Sequence, residues 1–393
     1  MTRTPVEIAR VEPPPIEIVG AGIAGLALAL ALARLGRPCT IREAADELRP
    51  IGAGIQLPPN AVKALRELGL ERAVNGVASA PRDLRVHDGA TGRRLTTLEL
   101  GRAIERAKGA PYLVVHRGDL QAVLLDAIHH QPRIELRLGE PFDAATRPDD
   151  GSGRWLVGAD GVRSKVRSLV RGGDDARPTG HVAWRADIDA RDLPATWMRA
   201  SVGVWLGSAG HVVHYPVDAG RRVNVVVSGP DDGAATPITP LSGWAGDVRP
   251  LCEAAPEWGR WPIATVPYGP GWTHGRVVLI GDAAHAMTPH AAQGGAMAIE
   301  DAITLAPALD AAIRERSQAP VRDWEGTRRP RVRRAAAAAE RNRVIYQARG
   351  PLRWGRNLAM RLLPPAILTR GTTALYDWEA PPLRRGTETG PEG

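Results

Sequence analysis

The chain has 393 residues, 44% hydrophobic and 24% charged, a globular composition long enough for two domains or one large domain with an inserted lobe. Its net charge of +8 comes from 51 Lys+Arg against 43 Asp+Glu, and its lysines are confined to Lys63, Lys108 and Lys165. No zinc-ligand spacing, RNA-binding signature or basic run with interleaved aromatics accompanies that charge, so nucleic acid is not an expected partner; the excess is read as Arg-rich bias that also suits anionic cofactors and a carboxylate substrate.

Residues 1–15 and 380–393 are Pro-rich or polar and read as tails. Residues 16–19 (IEIV) form a short apolar strand. Gly20 to Gly25 make a tight turn, and the Ala/Leu run from Ile23 to Leu35 is a helix closed by Gly36. A strand from Pro38 to Arg42 leads to Glu43, a βαβ unit at the front of a doubly wound sheet. Cys39 in that strand is expected to be a small buried hydrophobe, and with Cys252 it builds neither a disulfide framework nor a metal site. Residues 59–75 read as a helix and its exit, and 82–100 as a hairpin turned at Asp88-Gly89 and Gly92. Residues 116–130 are an amphipathic helix with Leu120, Val123, Leu124 and Ala127 on one face. Short strands at Ile134–Leu138 and Trp155–Val157 enclose a loose Asp/Pro/Gly loop at 143–153.

From 176 to 267 the runs become strand-like, as in 202–206, 211–217 and 223–228. Residues 276–280 return to a buried strand, 293–313 to a helix, and the rest to about 378 is helical and Arg-rich. The expected architecture is α/β: a discontinuous Rossmann-like domain (16–80, 105–175 and 268–345), a mostly β substrate lobe (81–104 and 176–267), and C-terminal helices (346–378). The N-terminus lacks the layout of a secretory signal, and the apolar run 23–33 ends at Arg34, short of a membrane span. A soluble cytoplasmic protein is expected, without stable membrane insertion.

Gly20-x-Gly22-x-x-Gly25 carries the first chemistry. Gly20 allows the turn, Gly22 lets backbone approach a pyrophosphate, and Gly25 lets helix and strand pack closely. The helix N-terminus offers N–H groups and a positive dipole end to phosphates. Glu43, 23 positions after Gly20, is placed to accept hydrogen bonds from ribose hydroxyls and disfavours a 2′-phosphate. This motif predicts a dinucleotide without separating FAD from NAD. A second segment, 277–306, delivers Gly281-Asp282 from an apolar strand, then Pro289, then a helix opened by Gly294-Gly295. Asp282 is suited to a polyol hydroxyl, and the helix N-terminus to the electron-rich edge of a reduced flavin ring. Strand alternation in His211-Val-Val-His214-Tyr215 puts His211 and Tyr215 on one face, a pair able to grip and deprotonate a phenol; the residues alone leave an ordinary sheet face as the alternative.

Taken together, the sequence resembles the class A FAD-dependent aromatic hydroxylases, in the branch of salicylate hydroxylase, 3-hydroxybenzoate 6-hydroxylase and 6-hydroxynicotinate monooxygenase. The resemblance rests on GAGIAGLALALALARLG after Val19, on Gly158-Ala-Asp160-Gly161-Val-Arg163-Ser164 with Val166-Arg167, on GDAAH at Asp282, on residues 52–61 and on Arg117 in HRGDL. It runs from about Ile16 to Trp378 and implies a GR2-type FAD-binding domain.

The resemblance implies FAD contacts at Gly20, Gly22, Ala24, Gly25, Glu43, Gln56, Arg117, Asp160, Asp282, Pro289, Gly294, Gly295 and Ala296, with Gly294 to Met297 lining the flavin ring. It implies His211 as base, and Tyr215 and Gln293 orienting the substrate; His285 is expected to be structural. The implied reaction hydroxylates a small phenolic acid with NADH or NADPH and dioxygen through a flavin hydroperoxide, in a monomer or homodimer without a metal. Other class A hydroxylases acting on quinone-pathway or polyketide substrates, and a non-catalytic FAD-fold binding protein, are the alternatives. One departure stands out. Between Ile134 and Trp155 the family usually carries more strands, so a three-stranded ribbon is expected to be shortened or lost here.

Overall fold

The computed structural model describes residues 16–48, 54–145, 153–173, 176–198, 200–208, 210–237, 241, 243–244, 248–268 and 271–383. The tail 1–15, most of the tail 380–393, and residues 146–152 of the Asp/Pro/Gly loop lie outside the described residues.

The chain opens with β1 (Ile16–Val19), α1 (Ile23–Arg34), β2 (Cys39–Arg42), β3 (Gly54–Leu57), α2 (Pro59–Glu67) and α3 (Glu71–Val77). The hairpin β4 (Asp83–Asp88) and β5 (Arg94–Glu99) follows, then α4 (Gly101–Lys108), β6 (Leu113–His116), α5 (Arg117–His129), β7 (Ile134–Arg137), β8 (Trp155–Gly158) and α6 (Arg167–Arg171). Next come β9 (Arg177–Asp189), β10 (Ser201–Leu206), β11 (His211–Val217), β12 (Arg222–Pro230), α7 (Val248–Glu253), β13 (Gly259–Thr265), β14 (Thr273–His274) and β15 (Val277–Leu279). Helices close the chain: α8 (Asp282–His285), α9 (Gly294–Arg314), α10 (Ala319–Tyr346), α11 (Gly350–Leu362) and α12 (Pro365–Thr373).

Among the described residues, β14-β15-β8-β1-β2-β7 make one six-stranded sheet. Its strands from β15 to β7 run parallel, and β14 is antiparallel at the edge. Parallel strands covered on both faces read as continuous apolar runs, which is why WLV lacks alternation, while in IEIV the half-buried Glu17 pairs with Arg42 of the neighbouring strand. Helix α1 is hydrophobic all round because it is enclosed: Ile23 to Ala33 are all buried. The expected helix at 59–75 is two helices, divided where Gly69 takes a left-handed conformation (φ +71°).

The second sheet is ordered β13-β9-β12-β11-β10-β4-β5. Its valine-rich strands do alternate. Val223, Val225 and Val227 of β12 join Val182, Trp184, Ile188 and Val212 in a separate core under α7. Their neighbours on the opposite face are Asn224, Val226 and Ser228, and that face turns towards the first sheet. Between β7 and β8 no described residue belongs to a strand; residues 146–152, part of the stretch in which a ribbon is expected to be shortened or lost, lie outside the described residues.

Buried charge locks α9 and α10 together. Arg328 binds Glu300 (2.7 Å) and Asp301 (2.9 Å), and all three side chains are at most 3% exposed. Arg331 and Asn60 also hold Glu300, while His285 holds Asp301 at 2.6 Å. His285 is therefore a structural ligand of a buried carboxylate. Lys63, itself buried, gathers the carbonyls of Tyr376 and Trp378 and the Glu379 carboxylate, fastening the end of the helical region onto α2.

Candidate active site

One cavity of ≈ 650 Å³ lies between the two sheets, within the roughly 300–1,000 Å³ usual for small-molecule sites. The glycine turn forms its floor at the first sheet. Gly20 adopts φ +105°, and a Cβ there would meet the backbone of Ala159 at 2.5 Å, so this turn requires glycine. The Gly20 N–H donates to the Arg42 carbonyl (2.8 Å), while Glu43 accepts from the Ala21 N–H (2.8 Å) and the Ala45 N–H (3.0 Å). The acid at the end of β2 thereby reaches back to the turn. Gly22 is the N-cap of α1 without a side-chain cap, and a Cβ on it would stand in open space.

The segment 281–298 forms the opposite wall. Gly281 (φ +57°) wedges between α1 and α9, where a Cβ would lie 3.1 Å from Ala24 and 3.2 Å from Ala298. Asp301 accepts from the Gly281 N–H (3.0 Å), so the buried charge cluster sets the start of this segment. Asp282, Pro289, Gly294 and Gly295 line the cavity, and the N-terminus of α9, like that of α1, carries no side-chain cap. Arg167, fully buried, ties this segment to the one at 158–167 by donating to the carbonyls of Ala283 (3.1 Å) and Val162 (2.7 Å). Asp160 lines the cavity, but its carboxylate accepts from the Ser164 hydroxyl (2.5 Å) and the N–H groups of Lys165 (2.7 Å) and Val166 (3.2 Å), closing the turn after β8.

The second sheet supplies the far wall with His211, Val213 and Tyr215, as strand alternation requires. His214 points the other way, into Trp197 at 4.9 Å. Burial, with smaller repulsion from His290 and His181, pushes the His211 pKa down to about 3, so its imidazole is neutral. Burial likewise raises the Tyr215 hydroxyl well above its ordinary value, so it stays a donor. Gly54 makes room for it: a Cβ there would meet the Tyr215 ring at 2.4 Å. The His211 ring stands 4.9 Å from His290 and 5.3 Å from Tyr346, and burial lowers the His290 pKa to about 4.

Gly20, Gly22, Ala24, Glu43, Gln56, Arg117, Asp160, Asp282, Pro289, Gly294, Gly295, His211 and Tyr215 thus meet on one cavity. Three expected residues do not. Gly25 packs beneath it, where a Cβ would meet the Gly20 carbonyl oxygen at 2.0 Å. Ala296, with Met297, is fully buried: the 100° helical step places Gly294, Gly295 and Ala298 on the cavity face and turns these two inward. Gln293 is also buried, and its amide oxygen accepts from Asn60 (3.1 Å), so it is turned towards α2. Residues not singled out from sequence also line the cavity, among them Phe142, Arg185 and Ser228. Period-two alternation puts Arg185 on one strand face with Asp187, but only the sheet order reveals that this face meets the cavity.

The arrangement fits a dinucleotide cofactor. Two uncapped helix N-termini open onto one cavity, Gly22 and Gly294 leave open space where a phosphate chain or ring would approach, and the Glu43 carboxylate lines the same cavity. Pro141 and Phe142, from the short segment after β7, line the Glu43 side. Among the described residues no cluster of His, Cys, Asp or Glu is placed to hold a metal, and no helix is long and apolar enough to cross a membrane.

Comparison with known proteins gives the same picture. The family described as FAD binding domain matches residues 14–339. The chain is similar to 3-hydroxybenzoate 6-hydroxylase of Klebsiella oxytoca, 34% identical over 385 residues that cover 92% of this chain and 96% of that protein. It is similar to 3-amino-4-hydroxybenzoate 2-monooxygenase of Streptomyces platensis, 34% identical over 390 residues that cover 94% and 97%. Among solved structures it is similar to HpxO of Klebsiella pneumoniae complexed with FAD and uric acid, with TM-score 0.77, 27% identity and coverage of 92% and 96%.

Proposed function

The chain belongs to the FAD binding domain family, and from that premise we propose that it is an FAD-dependent monooxygenase that hydroxylates a small phenolic acid with NADH or NADPH and dioxygen. The carrying observation is that one cavity joins the glycine turn, the N-terminus of α9 and the His211–Tyr215 face. Bound FAD supplies the transfer of reducing equivalents from the nicotinamide and the activation of dioxygen. This chain's residues bind, orient and exclude water.

The N-terminus of α1 holds the pyrophosphate, Glu43 the adenosine ribose, and Asp282 the polyol side. The N-terminus of α9 at Gly294 and Gly295 sets positive partial charge against the flavin ring. A ring nitrogen of His211 takes the proton of the substrate hydroxyl, which makes the ring electron-rich at the carbon to be oxidised. Burial disfavours imidazolium, and the phenolate formed beside it supplies an opposite charge where no acid acts on His211. Tyr215, held protonated, donates to the bound ring substituent. A wall that carries His211, Tyr215, Arg185 and Ser228 suits a small polar substrate better than a polyketide or quinone tail.

Buried, free Cys39 and Cys252 and the need for NAD(P)H support a cytoplasmic location, and we extend the proposal to a monomer or homodimer, decided by light scattering. The main test is a panel of hydroxybenzoates and hydroxynicotinates, with NAD(P)H oxidation measured beside product formation. A yellow protein whose NAD(P)H oxidation no aromatic acid stimulates would sink the proposal and favour a binding role.

A further inference from the structure

Arg185 enters the cavity from β9, on the sheet face that also carries His211 and Tyr215. Cross-strand register places it in one row with Val226 and Val213. It therefore stands two strands from β11, roughly 10 Å across the sheet, with valines as the floor between. The row on one side is His211 with Ser228, and on the other Tyr215 with Asn224 and Asp187.

The charge on Arg185 is poorly compensated. Its Nε is buried without a hydrogen-bond partner, and the side chain lies over the Trp261 ring at 5.7 Å. Asp187, the acid two residues along on the same face, is engaged by His116 (3.3 Å) and by the Asn224 amide (2.8 Å). Burial pushes the Arg185 pKa down; Tyr215 opposes this in part, and repulsion from Arg117 in the same cavity adds a still smaller downward push. The Ser228 hydroxyl, beside His211, is likewise buried and without a partner. A guanidinium withdrawn from water and left without an anion is costly. The phosphates of a dinucleotide belong with the glycine turn on the other sheet, so the anion suited to this place is one the substrate brings.

We propose that Arg185 receives a carboxylate on the substrate ring and thereby sets the hydroxyl of that ring against His211. This rests on the proposed function and adds to it the residue that recognises the acid group of the phenolic acid and so the direction in which the ring lies. The planar fork of arginine matches a carboxylate, and the valine floor spans the distance of one ring between the fork and the base.

The test pairs each acid with its uncharged amide: 3-hydroxybenzoate with 3-hydroxybenzamide, salicylate with salicylamide, 6-hydroxynicotinate with 6-hydroxynicotinamide. Binding is read from the perturbation of the flavin absorbance of the FAD-loaded protein without NAD(P)H, so no turnover is needed. For at least one pair the wild type binds the acid about 10–100-fold more tightly than the amide, the worth of a charge-assisted hydrogen bond. In Arg185→Met that preference collapses towards unity while the flavin spectrum and melting temperature persist, and Arg185→Lys recovers part of it.

Two results overturn the inference: a wild type that binds no acid better than its amide, or an Arg185→Met protein that keeps the full preference. The first can be read even if Arg185→Met does not fold. Either leaves the proposed function standing if a phenolic acid still stimulates coupled oxidation. A wild type that binds a carboxylic acid at Arg185 yet never hydroxylates would instead overturn the proposed function alone.

Discussion

Replacing Arg328 with Met tests whether the buried charge cluster sets the flavin side of the cavity. Arg328 is 3% exposed, and Glu300 and Asp301 are fully buried. The substitution keeps an unbranched side chain but removes the donors to Asp301 Oδ1 (2.9 Å) and Glu300 Oε2 (2.7 Å). Glu300 retains Arg331 and Asn60, so the loss falls mainly on Asp301, which among the described residues keeps His285 and the Gly281 N–H. Breaking a buried pair on one side costs about 3–5 kcal/mol, and the retained partners put the expectation near 3 kcal/mol, a large share of a total stability of about 5–15 kcal/mol.

Urea unfolding followed by tryptophan fluorescence measures the loss, and flavin release along the same titration reports whether Gly281 shifts. Acid adds a sign. Burial acts to raise the Asp301 pKa, but its contacts with His285 and Arg328 and the Gly281 N–H together outweigh it and hold the carboxyl below its usual range. That depression contributes stability above about pH 4 that is lost as pH falls. With Arg328 gone the depression shrinks, so the gap between variant and wild type narrows on acidification. A variant within about 0.5 kcal/mol of wild type at pH 7 would refute the reasoning, since ordinary surface substitutions fall in that range.

His211→Ala should lower coupled hydroxylation by about 10²–10⁴-fold, the usual contribution of a positioned base, with FAD content unchanged; unaltered coupling across pH would remove His211 from the mechanism. Burial depresses His211 and His214 to about 3 and His290 to about 4 from 6.5, so the unfolded chain takes up protons first. Their stabilising effect is present above about pH 6.5 and lost as pH falls towards 4 for His290 and towards 3 for His211 and His214, by at most about 1.4 kcal/mol per pH unit for each group; melting temperatures from pH 7.5 to 4.5 should decline steeply, and a flat profile would contradict it. Gly25→Ala forces a Cβ to 2.0 Å from the Gly20 carbonyl oxygen, backbone against backbone. Relief requires α1 to move off β1, costing about 1–3 kcal/mol or more, and the ratio of flavin to protein absorbance should fall with the melting temperature.

Several features were legible in the chain because they depend on local rules. The glycine spacing, the apolar strand before it and Glu43 after it specify a βαβ turn whose backbone geometry follows from φ > 0 at Gly20 and contact at Gly25. Alternation in β11 separated His211 and Tyr215 from His214 without knowledge of any partner strand. The limit was reached where a residue's neighbours come from distant sequence. Gln293 is 233 positions from Asn60, the side chain that turns it aside, and Gly69 divides a helix that apolar periodicity alone would have continued.

What the sequence by itself determined is therefore the cofactor end: a glycine turn, its helix and its acid lie within 28 residues of Ile16, and backbone sterics leave them little choice of arrangement. What only the tertiary structure decided is the far wall. Arg185, Ser228 and His211 sit on three different strands, and their meeting depends on the register of β9, β12 and β11 and on which face of that sheet turns towards the glycine turn. Register is set by the burial of one valine-rich face under α7, a long-range balance of apolar contacts that no local run of residues encodes.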